Sequence, residues 1–110
     1  MFIVNPGEFY YHYKRDKNKN PEDHAYYILG IAQDTEDRTK FSVIYKPLYF
    51  CDPRKEDETG VTFHSRPYNM FIEMVYKSEY TGLRFTKIID PKLIEYLKGT
   101  VLFQSAYIDQ

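Results

Sequence analysis

The sequence predicts a mainly β fold: a small twisted barrel or roll of five to six strands, followed by one short C-terminal helix. Three observations carry this. The 110 residues hold 12 Tyr and 8 Phe and no Trp, an aromatic load that suits pleated, half-buried surfaces. The apolar residues fall in short segments separated, at near-regular intervals, by polar stretches rich in Asn, Asp, Pro and Gly. A helix pattern appears only after Ile89. This length fits one compact unit with a real core, read as a barrel over residues 1–89 with the helix and tail of residues 90–110 packed on it.

The first segment, GEFYYHYK (Gly7 to Lys14), alternates Phe9, Tyr11 and Tyr13 with Tyr10, His12 and Lys14. A strand sends these two sets to opposite faces, one of which must be core. RDKNKNPEDH (Arg15 to His24) has loop chemistry. AYYILGIAQ (Ala25 to Gln33) is apolar on both faces and reads as a central strand, with Gly30 marking a bulge or close backbone approach. FSVIYKPLYF (Phe41 to Phe50) is a long strand in which Pro47, lacking an N–H, demands an edge or a bend. After the charged loop CDPRKEDETG (Cys51 to Gly60), VTFHS resumes alternation and RPYNM breaks it, with Met70 and Phe71 read as plugs for one end of the barrel. FIEMVYK (Phe71 to Lys77) and LRFTKII (Leu83 to Ile89) read as a pair joined across SEYTG. Asp90 as N-cap, Pro91 at the first helical position, the stripe Leu93, Ile94, Leu97 and the stop Gly99 then define a helix of about two turns. The tail TVLFQSAYI would add an edge strand or bury Leu102, Phe103 and Tyr107.

Composition narrows the function classes. Fifteen basic against 16 acidic residues argue against a dedicated duplex-DNA binder, which carries a basic excess. A single cysteine, Cys51, forms no internal disulfide and suggests an intracellular chain; the neighbouring Asp52 works against a reactive thiolate. No apolar run approaches the ~18 residues of a membrane span, and the MFIVNPGE start is not a secretory signal. The expectation is a soluble, cytoplasmic protein with no cofactor. His12, His24, His64 and Cys51 show no zinc-type spacing, and neither a Ser-His-Asp set nor a phosphate-binding Gly-rich loop is present.

Five blocks in order, YYHYK (Tyr10 to Lys14), YYILGIA (Tyr26 to Ala32), VIYKPLY (Val43 to Tyr49), RPYNMF (Arg66 to Phe71) and RF (Arg84, Phe85), resemble the signature of the bacterial domain of unknown function 1653. The resemblance spans residues 7 to 86 and implies an SH3-like β-roll, with no biochemical activity to carry over. Its pattern specifies Tyr10, His12 and Lys14 but leaves the position of Tyr11 free, which singles out that face. The chain departs from the pattern in an extra residue after Gly7, a longer loop after Lys14, Asp34 in a position often held by His, and an extension past Phe85. The change at Asp34 weakens a paired-histidine site.

Five residues are the candidates for a ligand site: Tyr10, His12, Lys14, Tyr45 and Arg66. His12 is either a hydrogen-bonded structural residue or a ligand contact. Lys14 and Arg66 would clamp a carboxylate or phosphate; alternatively, Arg66 makes a structural ion pair with a strand carboxylate such as Glu73. Tyr45 and Tyr49 line a groove or, by the habit of small barrels, fill the core. No catalytic constellation accompanies them, so the expectation is a non-enzymatic module for a small anionic or peptide ligand. The alternative is single-stranded nucleic acid bound by Lys14, Arg15, Lys17 and Lys19 beside tyrosines, against which Asp16, Glu22 and Asp23 dilute the charge.

Overall fold

A computed structural model describes residues 2–49 and 63–107. Strands β1 (Phe9–His12), β2 (Ala25–Gln33), β3 (Phe41–Pro47), β4 (His64–Pro67) and β7 (Phe85–Lys87) form an antiparallel sheet in the order β4-β3-β2-β1-β7. Strands β5 (Met74–Lys77) and β6 (Tyr80–Leu83) form a separate hairpin. The short α1 (Tyr68–Phe71) follows β4, and α2 (Pro91–Lys98) and α3 (Val101–Tyr107) end the described chain. The fold is thus mainly β, with seven strands in two sheets where the sequence suggests five or six. The extra strand arises because the segment after β5 is divided. Ser78 and Glu79 make a tight turn, the chain returns as β6, and it then leaves the hairpin at Arg84 so that Phe85 pairs with His12 instead.

The register explains the core. β1 meets β2 with Phe9 opposite Tyr27 and Tyr10 opposite Tyr26, and β2 meets β3 with Ile28 opposite Tyr45. Partners across antiparallel strands share a face. Tyr10, Tyr26, Ile28, Val43, Tyr45 and Phe85 therefore lie together and bury with Val4 and Phe71. The opposite face buries Phe9, Ala25, Leu48 and Ile88 under Leu97 of α2 and Phe103 of α3. The sheet is covered on both sides, so the second face of GEFYYHYK, left open by its sequence, is core as well. Two aromatic faces on one strand need two layers of cover, and the C-terminal helices supply the second.

Local signals resolve individually. The register slips between Ile28 and Gly30, a bulge where glycine lowers the cost of the kink. β3 ends at Pro47, and one further bond to β2 follows, the N–H of Leu48 donating to the Ala25 carbonyl at 2.9 Å. The side chain of Asp90 accepts from the N–H of Lys92 at 2.9 Å and caps α2, and Pro91 follows at the first helical position. Gly99 ends that helix. The tail forms no edge strand but a second helix, with the Thr100 hydroxyl accepting from the N–H of Phe103 at 3.4 Å. Leu102 and Phe103 are buried; the side chain of Tyr107 and the region of Cys51 lie outside the described residues. Of the two suggested plugs, Phe71 is buried and stacks on Phe85 with ring centroids 4.0 Å apart, whereas Met70 is exposed. No helix among the described residues is long and apolar enough to cross a membrane.

Candidate functional site

The first core face runs out of apolar residues at one end of the sheet, where basic and aromatic side chains converge on His12. Each β1–β2 pair sums to 36 in residue number, and one step further the same register sets His12 against His24. The N–H of His12 donates to the carbonyl of His24 at 3.0 Å, and the imidazole centroids are 5.8 Å apart. His24 has φ +53°, the single non-glycine positive φ among the described residues. His tolerates this region better than bulky or branched residues do. Its ring is stacked on Tyr49 at 4.9 Å, and the Tyr49 hydroxyl hydrogen-bonds that of Tyr26.

Arg66 reaches the same place from β4. Its Nε donates to the Tyr45 hydroxyl at 3.3 Å, and its guanidinium carbon lies 5.5 Å from the centroid of Phe85. Phe71 stacks on the same ring with centroids 4.0 Å apart, and the ring's negative face attracts a cation. The His12 ring meets the same ring in a T-shaped contact, with centroids 5.1 Å apart. One phenyl group in the strand paired with β1 thus carries both the histidine and the arginine.

The ion pair suggested for Arg66 is made by another arginine. Arg84 Nη2 donates to Glu73 Oε1 at 2.7 Å. The reason is positional: Arg84 leaves the hairpin beside Glu73, with its N–H donating to the Glu73 carbonyl at 3.1 Å. Among the described residues no carboxylate lies within ion-pair distance of Arg66.

Electrostatics distinguish the residues further. His12 is pushed down to about 4, by burial first and then by the positive fields of His24, Arg66, Arg84 and Lys14. It is neutral near pH 7. The backbone N–H of Lys14 donates to His12 Nδ1 at 3.1 Å, so the neutral ring carries its proton on Nε2 and offers a donor there. Burial opposes ionisation of Asp23, but the Asp16 N–H and the His24 ring outweigh it and hold the carboxyl below its ordinary value. His24 Nδ1 and Asp23 Oδ2 are 3.1 Å apart.

Of the five candidate residues, the structure brings together His12, Arg66 and the hydroxyl of Tyr45. Lys14 sits at the edge, exposed, and touches His12 through its backbone. Tyr10 faces elsewhere: its hydroxyl donates to Glu8 Oε1 at 3.1 Å and its ring packs on Phe71. Burial first, then Glu8, raises its hydroxyl well above the ordinary phenol value. Tyr45 is at once core and site, since its ring is buried and its oxygen holds Arg66.

Sequence reasoning missed His24 and Arg84 as site residues, and it named Tyr49 only as lining a groove or filling the core. The signal for His24 was the register, because pairing the two aromatic strands places it opposite His12. Interval counting cannot see this. No three metal-ligating side chains come together among the described residues. In the basic loop, the Arg15 guanidinium lies 4.0 Å from the Tyr11 ring centroid, and the Tyr11 hydroxyl donates to the Pro21 carbonyl. A cleft of about 470 Å³, bounded by Lys19, Asp23, Leu48, Tyr49 and Leu102, lies between this loop and the start of α3; it does not include His12 or Arg66.

Comparisons with curated proteins and with solved structures each return no match. A family model described as a protein of unknown function (DUF1653) matches residues 8–87, from the glutamate before β1 to the end of β7. The match takes in His12, His24, Arg66 and Arg84, and the chain belongs to this family.

Proposed function

We propose that this chain is a cytoplasmic, non-enzymatic binding module, built on an SH3-like β-roll, that takes a small anionic or peptide ligand where Arg66 and His12 meet. The return of β7 to pair with β1 is the arrangement a roll requires. The observation that carries the functional reading is the state of Arg66. Its guanidinium is aimed by Tyr45 and Phe85 yet faces no carboxylate among the described residues. An arginine held for structure is ordinarily neutralised, as Arg84 is by Glu73; one left with its terminal nitrogens open is suited to an incoming anion.

Nucleic-acid binding through the basic loop draws less support. Arg15 and Tyr11 occupy one another, and Asp16 and Asp23 form part of the same loop's hydrogen bonding. Stacking on bases requires exposed rings.

The test is thermal. Phosphate, carboxylate and acidic-peptide panels at fixed ionic strength should raise the melting temperature, by mass action worth ~2.7 kcal/mol at 100 times the dissociation constant. Arg66→Ala should abolish the shift. Its unliganded cost should be only ~1 kcal/mol, since it breaks one neutral acceptor contact and one cation–π contact. An Arg66→Ala protein that responds like the wild type refutes the proposal. A response to oligonucleotides that vanishes steeply with salt would support the nucleic-acid alternative instead.

A further inference from the structure

The cluster around His12 looks strongly basic in sequence, but its charges are largely spent. Arg84 is matched by Glu73 at 2.7 Å. Any positive charge that His24 takes up is matched by Asp23 at 3.1 Å. His12 cannot readily supply a charge, because its Nδ1 accepts the Lys14 N–H at 3.1 Å and protonation there would break that bond. Lys14 itself is exposed at the edge, where water screens it. Arg66 remains as the half-buried cation without a carboxylate among the described residues.

The shape of what Arg66 presents is also defined. Its Nε is engaged by the Tyr45 hydroxyl and its guanidinium carbon lies 5.5 Å from the Phe85 ring centroid, which leaves the edge formed by the two terminal nitrogens without a hydrogen bond among the described residues. That edge matches two coplanar oxygens. A dianion placed there would bring a second negative charge out of water with no second buried cation to meet it, a costly arrangement. A monoanion would be balanced.

We infer that the ligand is a monoanionic carboxylate, gripped by the terminal edge of Arg66 with the Nε2–H of His12 as a neutral second donor, rather than a phosphate dianion. This rests on the anion-binding reading above and names its chemical class. The surrounding rings of Tyr13, His24 and Phe85, with centroids 4.5, 5.8 and 5.1 Å from that of His12, make an aryl carboxylate a suitable probe.

Calorimetric titration of the full chain with sodium benzoate, phenyl phosphate and inorganic phosphate, at fixed ionic strength from pH 6 to 8, decides the matter. Benzoate should bind saturably, at least tenfold tighter than either phosphate at pH 8, where both phosphates are dianionic. Its affinity should stay within about twofold across the range, because none of the groups facing His12 (His24 with Asp23, Arg66, Arg84 with Glu73, and Lys14) would need to change charge for it to bind. Arg66→Lys, which keeps the charge and loses the fork, should weaken benzoate at least tenfold. Phenyl phosphate binding within tenfold of benzoate or tighter, benzoate tightening tenfold or more on acidification, or an unaffected Arg66→Lys would each overturn the carboxylate assignment while leaving an anion site in place. Silence to all three probes would remove both readings. The wild-type comparisons stand even if the variant proves unstable.

Discussion

At the residue scale, the most informative side chain is His12, because its proton location follows from a backbone contact. Lys14 N–H occupies Nδ1, so nuclear magnetic resonance should find the proton on Nε2 and a titration midpoint about 4 rather than the ordinary 6.5. The sign of its effect on stability follows by linkage. Between about 4 and 6.5 the unfolded chain holds a proton that the folded site refuses, so stability is lost as pH falls through that window and levels off below it. The carboxylates of Glu8 and Asp23, both held low, add losses as acid neutralises them, so the His12 resonance is the clean readout. A midpoint near 6.5, or a proton on Nδ1, would show that the contacts to Phe85, His24 and Lys14 are not made. Tyr10 provides a control at the same scale. Tyr10→Phe removes the hydrogen bond to Glu8 and should cost ~1 kcal/mol while leaving any ligand response intact, since that hydroxyl faces away from Arg66.

At the scale of elements, the C-terminal helices are the second cover of a sheet whose other face already carries a core closed by Val4 and by Phe71 of α1. Phe103 packs edge-on to Tyr27 at 4.9 Å and tilted on Phe9 at 5.8 Å. Phe103→Ala should therefore lower stability by ~3–5 kcal/mol, against a change within ~0.5 kcal/mol for the exposed neighbour in Val101→Ala; chemical denaturation of both variants measures the contrast. Equal effects would mean that α3 does not depend on this contact. This element also marks where the sequence stopped being legible. Asp90, Pro91 and Gly99 announce α2 by local chemistry alone, and Gly30 and Pro47 announce a bulge and a strand end in the same way. α3 carries Val101 and Phe103 at its start, residues that favour strands, and tertiary burial of Leu102 and Phe103 overrides that preference. Likewise, the split after Leu83 is invisible locally, because the choice of β7 to leave the hairpin is made by its pairing with β1. The candidate site was readable only in part for the same reason. His12, Tyr45 and Arg66 lie in recognisable blocks, but His24 and Arg84 join them through register and through a bend, neither of which is written in any short segment.

At the scale of the whole molecule, a doubly covered sheet frees its strand ends from carrying the stability of the fold. Phe9, Tyr10, Tyr26 and Tyr45 bury in two layers, and one end of the sheet can then hold a left-handed histidine and an arginine without a carboxylate among the described residues. Such features persist where surrounding structure over-determines them, and they gather at sites that bind. The central claim is that anions are taken there. Backbone and side-chain resonances followed during titration with sodium benzoate, and separately with phosphate, at fixed ionic strength test it most directly. Saturating shifts should concentrate on His12, Lys14, His24, Arg66 and the Arg84–Phe85 bend, and disappear in Arg66→Ala. Shifts confined to the Arg15–Lys19 loop, or spread over the surface without saturation, would contradict the claim.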